Sequence, residues 1–274
     1  MSDEATHQRE LLQWRTERED SLRRENGWLA LAGLHWLRPG RNRCGSAPGN
    51  EIVLPRGAPA LIGSFDVGAE GVRWECGTDV AVRVSRQAAN GAFLQNDTGV
   101  DPSYISVGEI RMVVIERGGR VGIRVWDNSR AERRSHPPRS WFDPTTAWRV
   151  RAAYTALAIA GVVVMPDASG TESTLRLDTS ISFVLNGVEY HLDATREQDE
   201  SLFVRFRDQT SQDRTYPSGR YLTCGTDMQA RGVLDFNYAY NPPCAFTDFA
   251  TCIFAPTQNT LELRIEAGET YSRH

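Results

Sequence analysis

Short apolar runs, each closed by a turn residue, constrain this chain more than any other feature. Between Gly40 and Asp127 the runs are EIVLP, SFDV, VRWEC, VAVRVS and EIRMVVIERGGRVGIRVWD. Gly, Pro, Asn and Asp separate them at intervals of about 8–12 residues, the spacing of antiparallel strands. After residue 146 the pattern resumes with WRVRAAYT, LAIAGVVVM, ISFVLNGVEYHLDA, SLFVRFRDQT, GRYLTC, GVLDFNYAY and LELRIEAG. Two segments predict hairpins outright. Glu109–Asp127 turns on Gly118-Gly119, and Phe183–Leu192 turns on Asn186-Gly187. Such dipeptides supply the positive φ that two-residue hairpin loops require. Strands do not alternate with helices along the chain, which argues against Rossmann and eightfold α/β-barrel architectures.

Residues 4–37 carry a different pattern. Leu11, Leu12, Trp14, Leu22, Trp28, Leu29, Leu31 and Leu34 recur at roughly helical spacing. Asn26-Gly27 splits the segment into two expected helices, and Pro39-Gly40 ends it. The expected fold is therefore mainly β. It has an N-terminal helical cap (1–37), a small β-sandwich-like module (38–127), a linker loop (128–146) and a larger antiparallel module (147–274). The larger module has many strands and few helices to cover its edges, which points to a closed or half-closed barrel. Arg130, Arg133, Arg134 and Arg139 in the loop read as a solvated linker. Trp14, Trp28 and Trp36 are expected to pack on the β core.

Composition removes several function classes. The chain contains no lysine, so all 31 basic residues are arginine. Pyridoxal-phosphate chemistry through a lysine Schiff base is excluded, and so is a P-loop lysine for nucleotide binding. The net charge of −4 gives no global pull toward nucleic acid or an anionic membrane, and neither is expected as a partner. The N-terminus MSDEATHQRELLQWRTERED is charged and has no apolar core of a signal peptide. With an odd count of five cysteines, this predicts reduced thiols and a cytoplasmic setting.

From Gly232 the chain reads GVLDFNYAYNPPCAFTDFATCIFAPTQNTLELRIEAGE. The run Asp235-Phe236-Asn237, then Ala239 to Thr247, then Ala250-Thr251-Cys252, Asn259, Leu261 and Ala267-Gly268-Glu269 resembles the C-terminal hallmark of a prokaryotic family, domain of unknown function 1684. Upstream, Phe206–Leu222, Gly122–Asp127 and Gly27–Leu37 extend the resemblance over nearly the whole chain. Ile253 stands where the family pattern has a proline, a departure that bears on the shape of that loop. The family carries no activity to transfer. The segment GRNRCGSAPGNEIVLP is similar to the opening of a forkhead-associated β-sandwich, but the phosphothreonine-reading Arg, Ser and His pattern is absent. That likeness implies shape and no phosphopeptide binding.

The polar hallmark suggests a site. Asp208, Tyr216, Arg220, Asp235, Asn237, Tyr240, Asn241 and Cys244 are the candidate lining of a small-molecule pocket. The alternative is a structural loop whose side chains satisfy backbone groups. Pro242-Pro243 keeps this stretch out of a central strand, and a cis bond at either proline would fix a sharp bend. Seven residues separate Cys244 from Cys252 with no histidine nearby, so a zinc site is not expected; a disulfide would need an oxidising compartment, and buried thiol packing is the expected fate. A hydrolase reading has two routes. Cys244 as nucleophile needs His191 or His35 as base. Alternatively, two of Asp127, Asp208, Asp235 and Glu269 converge as acid and base, against a structural role for the same carboxylates with Arg124, Arg207 and Arg220. No G-x-S-x-G elbow supports a serine hydrolase. A third reading makes residues 38–127 a protein-interaction module. No cofactor is indicated.

Overall fold

A computed structural model describes residues 3–77, 82–85 and 91–272. The chain is mainly β and divides into two compact units. One comprises residues 1–19 and 137–274, and the other residues 20–136. They are called here the barrel unit and the sandwich unit. No helix of the described residues is long and apolar enough to cross a membrane.

The first element is α1 (Asp3–Arg23), whose Leu11 and Leu22 are fully buried. Among the described residues, the sandwich unit contains nine strands. They are β1 (Leu31–Trp36), β2 (Gly40–Gly45), β3 (Ile52–Val53), β4 (Gly63–Gly68), β5 (Gly71–Cys76), β6 (Arg83–Val84), β7 (Tyr104–Val107), β8 (Ile110–Arg117) and β9 (Arg120–Asp127). A five-stranded sheet runs β1-β9-β8-β7-β6, and a four-stranded sheet runs β3-β2-β4-β5. Their inner faces supply one apolar core, with Phe65, Trp74, Ile105, Met112 and Ile123 among its buried members. The first two residues of the VAVRVS run, 80 and 81, lie outside the described residues. Gly118 (φ 54°) and Gly119 (φ 71°) form the predicted β8–β9 turn, with Arg117 opposite Arg120.

Helical spacing misassigned one segment. Leu31–Trp36 is a strand rather than the second N-terminal helix. Its leucines and tryptophan satisfy a helical period, but Leu34 pairs with Arg124 and Trp36 with Gly122 on β9. The Trp36 ring lies across Gly122, where an added Cβ would stand 2.8 Å from a ring carbon. Only the distant partner strand reveals the pairing, so the tertiary partner overrides the local pattern.

The barrel unit adds β10 (Arg149–Pro166), β11 (Glu172–Leu185), β12 (Val188–Arg196), β13 (Leu202–Phe206), β14 (Arg220–Cys224) and β15 (Val233–Asp235). They form one antiparallel sheet in the order β14-β13-β12-β11-β10-β15. Beyond β15 the chain returns to the opposite edge. Tyr221 on β14 and Tyr240 exchange backbone hydrogen bonds of 2.8 and 2.9 Å. That contact nearly closes the sheet into a barrel. The interior is filled by Ile181, Phe183, Leu192, Val204, Phe206, Leu222 and Phe236. Phe236 meets Phe183 and Phe206 edge-on at 5.5 and 5.7 Å, a favoured aromatic geometry. The predicted β11–β12 hairpin turns on Asn186 (φ 52°) and Gly187 (φ 79°).

Candidate functional site

The hallmark segment begins where β15 ends. Asp235 starts a short 3-10 helix (Phe236–Tyr238), and its Oδ1 accepts from the Asn237 backbone amide at 3.0 Å and from Asn237 Nδ2 at 2.8 Å. Its other oxygen lies 2.6 Å from His7 Nε2 on α1. Asn237 in turn clamps the backbone of Thr145, accepting from its N–H at 3.2 Å and donating to its carbonyl at 2.9 Å. Both side chains are almost fully buried. Their polar atoms therefore cap a helix, hold α1 and anchor the strand entry.

A second cluster lies at the start of the loop after β13. Asp208 caps the 3-10 helix Gln209–Gln212, and its Oδ2 accepts from the Ile265 amide at 2.7 Å. Arg220 on β14 donates to Asp208 at 3.1 Å, to the Ile265 carbonyl at 3.0 Å and to the Ala267 carbonyl. Neither side chain has any exposed surface. Burial lowers the Arg220 pKa, and the neighbouring Asp208 opposes that shift. The expected Arg–carboxylate pairing thus exists for Asp208. The other carboxylates find different partners: Asp235 meets His7, Asp127 accepts from Ser129, and Glu269 pairs with Arg139.

Arg139 corrects the reading of its loop as solvated. Its side chain is buried and donates to Glu269 Oε2 at 2.8 Å, with its guanidinium over the Phe246 ring. Glu269 Oε2 also accepts from the Asn241 backbone amide at 2.8 Å. Burial raises the Glu269 pKa against the opposing pull of Arg139. The preceding Gly268 holds φ at 78°, and a side chain there would strike the Ala239 carbonyl. Asn241 Nδ2 donates to the Thr270 carbonyl at 2.9 Å, while its buried Oδ1 has no partner among the described residues. The Asn241-Pro242 and Pro242-Pro243 bonds are both trans, so the bend expected from a cis bond is made instead by the 3-10 turn Pro243–Ala245.

Tyr240 lies against Trp14 and Tyr221, and the Arg18 guanidinium sits 3.7 Å from its ring centre. Cys244 and Cys252 meet on the same side of the barrel. The Cys244 amide donates to Cys252 Sγ at 3.2 Å, and the Tyr216 phenol donates to the Cys244 carbonyl at 3.0 Å. The Cys252 side chain lowers the Cys244 pKa against the effect of burial, with smaller help from the Tyr216 phenol and the local backbone. His191, one base considered for Cys244, stands exposed on β12 beside Glu189 at 3.9 Å. Among the described residues no group of three His, Cys, Asp or Glu side chains has the arrangement to hold a metal ion.

Beside this scaffold lies an open cavity of about 620 Å³, lined by Ser140, Gln212, Asp213, Arg214, Thr215, Pro217, Thr270, Tyr271 and Ser272. The scaffold shapes two of its walls. Asp208 caps the helix that ends at Gln212, and Asn241 holds the Thr270 carbonyl. Tyr216 meets Tyr271 edge-on at 5.0 Å. The Asp213 charge is matched by Arg264 at 3.1 Å. Arg214 stacks over Phe142 at 5.1 Å and has no carboxylate partner among the described residues. The candidates named from the sequence thus surround the cavity's supports, whereas its lining is a different set. Ser140, Arg214, Thr270 and Tyr271 carry no motif of their own. Arg214, Thr270 and Tyr271 are signalled in the sequence only by nearness to Tyr216 and Glu269, and Ser140 only by nearness to Arg139.

Fold and scaffold together define a mainly β protein whose barrel unit is organised by the hallmark segment. Residues 138–270 match the family model described as protein of unknown function (DUF1684), the family whose C-terminal pattern the hallmark segment resembles. Among solved structures, the solution NMR structure of an uncharacterized protein from Haloarcula marismortui is similar, at 34% identity. The match covers 51% of this chain and 79% of that one, with a TM-score of 0.41. No curated protein matches the sequence.

Proposed function

We propose that the barrel unit binds a small polar anion in the cavity between Ser140, Arg214 and Tyr271. The observation that carries this reading is Arg214 in the cavity lining with no carboxylate partner among the described residues, while the adjacent Asp213 is already matched by Arg264. A guanidinium without a carboxylate offers a planar set of donors suited to a carboxylate or phosphate oxygen. Ser140, Thr270 and Gln212 add short polar groups on the same lining. The volume falls within the range of ligand sites, about 300–1,000 Å³.

The hydrolase reading through a carboxylate pair has less support, since Asp208, Asp235 and Glu269 are each engaged by a separate buried partner. For an interaction surface on residues 38–127, the exposed apolar side chains Val53, Leu61, Phe93 and Val100 lie in four separate segments. The favoured reading includes a cytoplasmic setting, with neither nucleic acid nor membrane as partner, in keeping with the net charge of −4.

Thermal unfolding in rising citrate and in rising inorganic phosphate tests the proposal. A ligand bound only by the folded state at a hundredfold excess over its Kd stabilises by about 2.7 kcal/mol. The expected result is a saturating rise in midpoint for one of the two anions, lost in Arg214→Gln. Equal behaviour of the parent and Arg214→Gln proteins with both anions overturns it.

A further inference from the structure

We propose that Cys244 and Cys252 form a redox-active dithiol in which Cys244 attacks a low-molecular-weight disulfide and Cys252 resolves the product. This is independent of the anion cavity. The Cys252 sulfur accepts the backbone N–H of Cys244 at 3.2 Å, so the two residues are already in contact although seven residues separate them in sequence. The two sulfurs differ in access. Cys244 is partly exposed and Cys252 is buried, the arrangement of an attacking and a resolving thiol.

The surroundings point the same way. The neighbouring Cys252 side chain, and to a lesser degree the Tyr216 phenol and the local backbone, favour the Cys244 thiolate over the opposing effect of burial. Cys252 is held as the thiol, chiefly by donating to Cys244 and then by its own burial. Cys44 and Cys224, each in an apolar core, are pushed upward by burial. Attack therefore starts at Cys244. Residues 246–251 lie outside helices and strands, so the segment between the sulfurs is free of ladder hydrogen bonds that would resist their approach.

The chemistry balances with the disulfide RSSR as oxidant. The Cys244 thiolate attacks one sulfur, a Cys244–S–S–R bond forms, and RS⁻ departs. The main interaction that held the Cys252 proton, its hydrogen bond to the Cys244 thiolate, is then gone. Cys252 loses that proton to solvent and attacks the Cys244 sulfur, and the second RS⁻ leaves. One disulfide is reduced to two thiols, and the protein dithiol is oxidised to one internal disulfide.

Incubation of the full-length protein with oxidised glutathione, followed by alkylation and mass spectrometry of tryptic peptides, tests this. Cys244 and Cys252 lie within Gly232–Arg264, a single peptide between arginine cleavage sites. The expected product is that peptide two hydrogens lighter and free of glutathione. Cys252→Ala is expected to stop at a glutathione adduct on Cys244, and its alkylation midpoint is expected at higher pH than in the parent. Cys244→Ala is expected to lose both products. The proposal is overturned if the parent accumulates the same adduct as Cys252→Ala. It is also overturned if Cys244 reacts no faster than Cys44 and Cys224, or if its alkylation midpoint is unmoved by Cys252→Ala.

Discussion

The two units solve the same problem with different chemistry. The sandwich unit closes on an apolar interior in which Trp74, Phe65 and Met112 are essentially inaccessible, and Asn42 is its most deeply buried polar side chain. Asn42 there donates to the carbonyls of Arg38 and Gly40 at 2.8 and 2.9 Å. The barrel unit has an apolar interior of similar kind but surrounds it with buried ionisable pairs: Arg220–Asp208, Arg139–Glu269 and His7–Asp235. Hydrophobic burial dominates in the first unit, where the ion pairs of Asp97 with Arg117 and Arg124 are less enclosed. In the second, the desolvation of the Arg220–Asp208 and Arg139–Glu269 charges must be offset by their partners and by backbone hydrogen bonds. Irregular chain closes the barrel, and such chain exposes N–H and C=O groups that no sheet ladder satisfies. The hallmark side chains meet that need. What distinguishes the barrel unit is therefore fixed polar geometry, and the cavity lined by Arg214 lies in that unit.

The largest expected effect breaks one of these pairs. Asp208→Ala leaves Arg220 charged and fully enclosed, and the barrel unit is expected to lose about 3–5 kcal/mol. Urea unfolding followed by peptide-resolved hydrogen exchange measures it, with the sandwich unit's protection unchanged. A loss below about 1 kcal/mol means that the pair is solvated and that the contrast between the units fails. In the sandwich unit, Met112→Ala is expected to cost about 2–5 kcal/mol by opening a cavity in a core where its side chain is fully buried. The same exchange experiment then shows lost protection in residues 20–136 alone.

The smallest effect sharpens the comparison through pH. Asp167 organises the turn between β10 and β11, accepting from Ser169 and Thr171 hydroxyls at 2.6 Å each and from their amides at 2.8 and 3.2 Å. Burial alone would raise its pKa, but these hydrogen bonds outweigh burial and lower it. A carboxyl with a depressed folded pKa contributes stability above its unfolded value, and that contribution disappears as pH falls through the folded value. The stability gap between parent and Asp167→Asn is therefore expected to be of order 1 kcal/mol at neutral pH. It should shrink as pH falls through and below the ordinary carboxylate range. A gap constant down to strongly acid pH contradicts the assignment.

How much of this was legible depends on how local each interaction is. The turns at Gly118-Gly119 and Asn186-Gly187 were readable because the dihedral requirement and the residues that meet it are adjacent. The mainly β class followed from strand spacing. Leu31–Trp36 was misread because its apolar spacing fits two periods, and its partner β9 lies about ninety positions along. The hallmark stood out by composition, yet its roles were hidden. Asp235 depends on His7, 228 positions away, and Glu269 on Arg139, 130 positions away. Asn259 is similar: its amide joins β12 and β13 by bonding Asp193 and Arg205, which no local pattern announces.

Amide chemical-shift mapping on the full chain during a citrate and a phosphate titration tests the central claim most directly. One of these anions is expected to give saturable shifts at Ser140, Gln212–Thr215 and Thr270–Ser272, and those shifts should vanish in Arg214→Gln. Shifts that never saturate, that scatter over residues 20–136, or that persist without the guanidinium contradict it.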